Sequence, residues 1–170
     1  KIALPSCEMS TDILADTGYK DRIHDLKVIS NSLDYIIIMA YDFYRSSSTT
    51  AGPVAPLRGK CNDKVLSPCL EYDVVSSVSD ISKQVPTKKL ILGLPFYGYE
   101  WQVASPNFLA NTYPKSGGIA TYKRVQNLIS DPPNPENFAN TWSEITKSPY
   151  IVYEEHGQLF QIHYENTLSL

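Results

Sequence analysis

At 170 residues the chain can bury one sizeable core and is short for two. Apolar residues make up 42% and charged residues 19%, which is not the composition of a disordered chain, and a formal net charge of −3 offers nucleic acid no basic footprint. No apolar run approaches the roughly 20 residues that cross a bilayer, so neither nucleic acid nor a membrane is an expected partner.

In chain order, residues 2–4 read as a short apolar strand that Pro5 ends. Residues 19–31 place Tyr19, Ile23, Leu26, Val28 and Ile29 along one helical stripe, with Asn31 as a stop. Residues 34–41, DYIIIMAY, read as a strand whose apolar run Ile36–Ala40 has the pattern of burial on both faces. A polar loop of over 20 residues follows, long enough to expect a function or disorder. Val74, Val75, Val78 and Ile81 then recur at helical spacing within residues 71–84, and Lys89–Gly93 form another two-sided apolar strand. Strand, helix, strand, helix, strand at this spacing predicts βα units and a parallel sheet.

The pattern changes after Gly93. A Gly117-Gly118 turn leads to a helix near residues 121–130, and two strands, PYIVYEE and QLFQIHYEN, meet through His156-Gly157 as a tight hairpin. Tyr150, Tyr153, Phe160 and Tyr164 alternate along it as a half-buried sheet would. Glu165–Leu170 read as an Asn-capped helix just starting, so a chain that opens in a strand and closes in a helix is expected to be part of something larger. Cys61 and Cys69, eight apart in the loop, are candidates for a small disulfide or for two reduced thiols, and Cys7 is left over. The three histidines lie far from the cysteines in sequence, so no metal-ligand spacing is found and neither metal nor cofactor is expected.

In parallel α/β sheets the C-terminal strand ends build the ligand site. Tyr41-Asp42 stands at one such end and Pro95–Trp101, PFYGYEW, at the next. Aromatic faces beside carboxylates suit a carbohydrate, since rings stack on sugars and carboxylates hold hydroxyls and protons. As alternatives, Tyr41 and Asp42 could be a core phenol and a helix cap, and Tyr99 and Trp101 could plug a strand rim. Glu100 reads as solvated, His163 as an ordinary strand residue, and Asp34 as a cap or turn.

These residues resemble a family. Met39-Ala40-Tyr41-Asp42 is similar to the M-x-Y-D motif on the sixth barrel strand of glycoside hydrolase family 18, the chitinases and their relatives. Residues 52–57 resemble its loop ending in A-P-L, residues 89–98 its seventh strand with G-x-P-x-Y-G, and residues 162–169 its Y-D-[DN]-x-x-S segment with Glu165 in place of Asp. Residues 1–5 match the fifth strand. The resemblance implies an α/β fold, a portion of a (β/α)8 barrel covering strands five to seven. It also implies a division into barrel units over 1–101, an α+β insertion over 102–164 and a return to a barrel helix over 165–170.

The implied activity is substrate-assisted, retaining hydrolysis of β-1,4-linked N-acetylglucosamine glycans, in which the substrate's own acetamido group attacks the anomeric carbon. Tyr41 would hold the acetamido oxygen and Asp42 would contact the sugar, the two forming the catalytic pair present here. Met39, Tyr97, Tyr99 and Trp101 would bind substrate. Many chitinases have Arg where this chain has Tyr99, a Y-G-Y form resembling the chitobiase and spore-cortex-lytic branches. The family's D-x-x-D-x-D-x-E signature, which supplies the acid Glu, has no match in these residues. The chain alone is therefore expected to be inactive. A glycan-binding lectin or a peptidoglycan-type hydrolase are the alternatives, in a secreted or lysosomal setting, with the missing barrel portion or another copy of the chain as a macromolecular partner.

Overall fold

The computed structural model describes residues 6–20, 22–62 and 68–170. The strand expected at residues 2–4 lies outside them. Contacts divide the chain into two units, Lys1–Tyr41 with Val74–Leu94, and Asp42–Asp73 with Pro95–Leu170.

The first unit holds a three-stranded parallel sheet in the order β1 (Ser10–Leu14), β2 (Tyr35–Met39), β3 (Leu90–Gly93), with α1 (Leu26–Ser32) and α2 (Val74–Ser82). The βα order and the central place of β2 follow from its run of isoleucines, of which Ile36 and Ile38 are fully buried while Ile37 is half-buried. β1 was not legible in the sequence. Its STDIL is mostly polar, and it forms because it pairs in register with β2 and because Asp34 accepts the Met9 N–H at 2.8 Å just before β2.

The helix expected over 19–31 is shorter than its stripe. Asp25 accepts the Val28 N–H at 3.0 Å and starts α1 there, so Ile23, at 95% exposure, precedes the helix. At the other end Lys89 Nζ donates to the carbonyls of Ser30 and Leu33, satisfying groups that a helix C-terminus leaves open. α2 buries Val74, Ser77 and Ile81, and Ser77 Oγ donates to the Ala15 carbonyl at 2.6 Å.

The second unit is a five-stranded antiparallel sheet in the order β5 (Gly118–Thr121), β4 (Tyr97–Gln102), β8 (Gln158–His163), β7 (Ser148–Glu155), β6 (Phe138–Ser143). One helix, α3 (Tyr122–Ser130), is capped by Thr121, whose hydroxyl accepts the Arg124 N–H. Val125 and Leu128 of α3 pack with Ala120, Ile151, Tyr153, Ile162 and Tyr164 in the core. The β7–β8 turn has His156 and Gly157 at φ 51° and 75°, the positive pair that a two-residue hairpin needs. Two glycines mark close approaches. A Cβ on Gly98 would lie 2.2 Å from the His163 carbonyl oxygen, and one on Gly117 would lie 2.0 Å from that of Ser46.

β4 pairs with β5 and β8, so residues 97–101 hydrogen-bond inside the antiparallel sheet rather than with the parallel strands. The helix expected from Glu165 onward is here a single capped turn, with Asn166 Oδ1 accepting the N–H groups of Leu168 and Ser169. The long loop after β2 is ordered by distant partners. Ala51 N–H reaches the Ala110 carbonyl and Leu57 N–H the Thr146 carbonyl, and Cys61 and Cys69 form a disulfide with Cα atoms 5.0 Å apart. Cys7 is free and exposed.

Candidate functional site

In the first unit, Met39 ends β2 half-buried, Ala40 is wholly buried and Tyr41 is half-buried. Gly93, at the end of β3, makes room for this phenol, since a Cβ there would stand 3.3 Å from Tyr41 Cε1 and 3.1 Å from the Ile38 carbonyl oxygen.

In the second unit, Asp42 has φ 59°, in the left-handed region that Asp and Asn enter more readily than other side chains. Its Oδ1 accepts two hydroxyls, from Tyr97 at 2.5 Å and from Tyr99 at 3.1 Å. The two phenol rings meet edge-on with centroids 5.6 Å apart, as expected of residues i and i+2 on one face of β4. Burial, with the hydrogen bond to Asp42 and its negative charge second, pushes the Tyr97 hydroxyl far above the ordinary tyrosine range. Tyr99 is raised by burial first and the charge of Asp42 second. Both therefore stay protonated as donors.

Trp101, read from the sequence as a substrate contact, lies inside the second unit. Its ring is 0% exposed, and its indole N–H donates to the Arg45 carbonyl at 3.2 Å, so it packs the unit and ties down the loop after Asp42. Tyr99 is only 8% exposed and is spoken for by Asp42 and by the tilted Trp101 ring 5.8 Å away. Of the four residues read as substrate contacts, Met39 and Tyr97 keep partly exposed surface.

Three polar groups of the second unit are half-buried or buried. Glu100 is not free in solvent: it accepts from Arg124 at 3.0 Å and from the Tyr153 hydroxyl, tying β4 to α3 and β7. His163 is fully buried, stacked on Tyr150 at a centroid distance of 5.4 Å, and burial lowers its pKa to about 3. Glu165, 7% exposed, accepts the Ala55 N–H through Oε1 at 3.3 Å, while Oε2 is buried without a partner among the described residues. Burial raises its pKa to about 7. Only the oddity of Glu165 inside an otherwise familiar motif hinted at this. Among the described residues no cluster of His, Cys, Asp or Glu could hold a metal.

The sequence profile described as Glycosyl hydrolases family 18 matches residues 4–170. A class V chitinase of Arabidopsis thaliana is 28% identical over 134 residues, covering 75% of this chain and 34% of that protein. Chitotriosidase-1 of Mus musculus is 34% identical over 98 residues, covering 57% of this chain and 21% of its own length. The chain thus spans about a third or less of the length of these curated relatives. A family 18 chitinase of Cycas revoluta, solved in complex with (GlcNAc)3, superposes with a TM-score of 0.74 at 20% identity, over 95% of this chain and 45% of that one. That likeness shows an α/β fold corresponding to part of a (β/α)8 barrel. With the profile matching nearly every residue, the chain belongs to glycoside hydrolase family 18.

Proposed function

We propose that this chain is part of a domain that hydrolyses β-1,4-linked N-acetylglucosamine glycans, chitin or its oligomers, by the substrate-assisted route, and that it supplies strands five to seven of the barrel. The observation that carries the reading is the family match over residues 4–170 with Met39-Ala40-Tyr41-Asp42 intact within it. Tyr41 donates to the acetamido oxygen and so steadies the group as it attacks the anomeric carbon. By the family resemblance Asp42 contacts the sugar, and Met39 and Tyr97 are substrate contacts. The complex of the Cycas revoluta chitinase with (GlcNAc)3 supports this ligand class. The Cys61–Cys69 disulfide supports an oxidising, secreted or lysosomal setting.

These residues bind and orient, but they do not supply the acid. General acid catalysis is worth about 10²–10⁴-fold, and no match to the family's acid motif occurs in the 170 residues. The chain by itself therefore binds N-acetylglucosamine oligomers without turnover. That favours a binding role over an enzymatic one for this chain taken alone. Titrating N-acetylated chitotriose into the isotopically labelled chain should shift the amide signals of Tyr41, Asp42 and Tyr97, with no release of fluorophore from a fluorogenic chitobioside. Unmoved signals at millimolar sugar would reject the ligand class. Measurable release would reject the claim of inactivity.

A further inference from the structure

Asp42 is held in an unusual way. Both phenols donate to the same oxygen, Oδ1, at 2.5 and 3.1 Å, and among the described residues no donor reaches Oδ2. The two donors differ in access: Tyr97 is half-buried, whereas Tyr99 is 8% exposed behind it and packs against the wholly buried Trp101. A side chain so placed has little surface left for a ligand. Its hydroxyl is nevertheless spent on the carboxylate.

We propose that Tyr99 is a positioning residue: with Tyr97 it saturates Asp42 Oδ1, which fixes the carboxylate plane and leaves Oδ2 as the single acceptor offered to a ligand N–H or O–H. The ligand's identity as an N-acetylated sugar rests on the function proposed above; the clamp itself does not. One donor fixes a distance, whereas two donors arriving from residues i and i+2 of one strand fix where Oδ1 sits, and with it the side-chain rotation about Cα–Cβ as well as about Cβ–Cγ. The fixed side chain matches the fixed backbone, because Asp42 at φ 59° is held in a conformation that most residues avoid. The charges facing the cluster are few. The Tyr97 and Tyr99 hydroxyls feel Asp42, and Arg45 acts on Tyr99 in the opposite sense. Tyr97 also responds to Tyr99, so the three side chains behave as one hydrogen-bonded group.

The test needs no sugar and no activity. In the labelled chain, the Asp42 Hα–Hβ couplings report its side-chain rotamer, and the tyrosine Cζ signals report phenol ionisation. Wild type should show one Asp42 rotamer, with Tyr97 and Tyr99 still protonated above pH ~10, where free tyrosine ionises. Tyr99→Phe should average the Asp42 couplings while the Trp101 indole N–H signal stays in place, showing that the unit is intact. Asp42→Asn should bring both phenol titrations down by about one pH unit or more, the worth of a hydrogen bond to a charged group. Averaged couplings already in wild type, or a single rotamer retained in Tyr99→Phe, would overturn the proposal. If Tyr99→Phe does not fold, phenol titrations unmoved by Asp42→Asn overturn it as well. An added chitotriose arm separates the two ideas: a Tyr99→Phe chain whose rotamer averages while wild type binds no sugar supports the clamp and sinks the ligand reading.

Discussion

The two sheets differ in how completely each fills its own core. The antiparallel unit buries Ile151 and Ile162 to 0% exposure under α3 and pairs β6, β7 and β8 in six-residue ladders. The parallel unit buries Ile36 and Ile38 of its central strand but leaves Ile91 and Leu92 of β3 at 44% and 41% exposure. Adjacent residues of a strand point to opposite faces, so β3 is open on both. An antiparallel sheet backed by a helix can complete itself within a short stretch of chain. A parallel sheet needs cover on both faces, and β3 lacks it here.

The sharpest way to test that contrast is a core truncation. Ile162→Ala should cost about 2–5 kcal/mol, measured as a fall in the denaturant midpoint at constant slope. A cost below about 1 kcal/mol would mean that the antiparallel core is looser than the packing of Ile162 against Ile151 and α3 implies.

The second test uses pH, because the antiparallel unit buries two ionisable groups with opposite demands. Burial raises the Glu165 pKa from 4.5 to about 7, so the folded state binds its proton more tightly than the unfolded state does. That stability is fully present below pH 4.5 and is lost as pH rises through 7, about 3 kcal/mol in all at roughly 1.4 kcal/mol per pH unit. His163 has the opposite sign. Burial depresses its pKa from 6.5 to about 3, so its contribution is complete above pH 6.5 and is lost as pH falls toward 3. Between pH 4.5 and 6.5 the two slopes cancel. Thermal or urea unfolding of wild type should show a plateau there. Glu165→Gln should replace the plateau with stability that rises with pH, and His163→Gln with stability that falls. Flat curves in both variants would show that neither group is sealed from solvent.

The disulfide gives the third. Closing the short loop between Cys61 and Cys69 is worth about 2.5 kcal/mol on chain-entropy grounds, and its neighbours Gly59 and Leu70 already pair through the backbone. The double variant Cys61→Ser/Cys69→Ser should lose about that much. A loss under about 0.5 kcal/mol would mean that the Gly59–Leu70 and Leu57–Thr146 bonds hold the loop without the bridge.

What the sequence displayed was whatever depends on near neighbours. β2 shows in its run of isoleucines, α3 in its spacing, the hairpin in His156-Gly157, and the family in Met39-Ala40-Tyr41-Asp42. What it concealed depends on partners far along the chain. The polar strand β1 exists through its pairing with β2. Glu100 looks solvated until Arg124 and Tyr153, 24 and 53 residues away, close on it. That Trp101 donates its N–H to the Arg45 carbonyl, 56 residues back, could not be read from the sequence around it. Asp42 stands out in the sequence as the end of the Met39–Asp42 motif, but the two phenols on its Oδ1 do not, because nothing in PFYGYEW says which oxygen each hydroxyl finds.

The smallest expected effect bears most directly on the contrast. Ile91→Ala removes a side chain already 44% exposed, so it should cost about 1 kcal/mol or less in the chain alone. Placed beside Ile162→Ala, the ratio of the two losses measures how unequal the cores are. A loss for Ile91→Ala of about 2 kcal/mol or more, in the range of core truncations, would mean that β3 is covered in solution, by another copy of the chain or by a rearranged neighbour. Repeating the measurement across a hundredfold range of protein concentration separates those causes. Self-association makes the unfolding midpoint rise with concentration, whereas intramolecular cover leaves it fixed. A small loss that does not change with concentration leaves β3 as the open edge of an incomplete barrel, where an unpaired strand also invites aggregation.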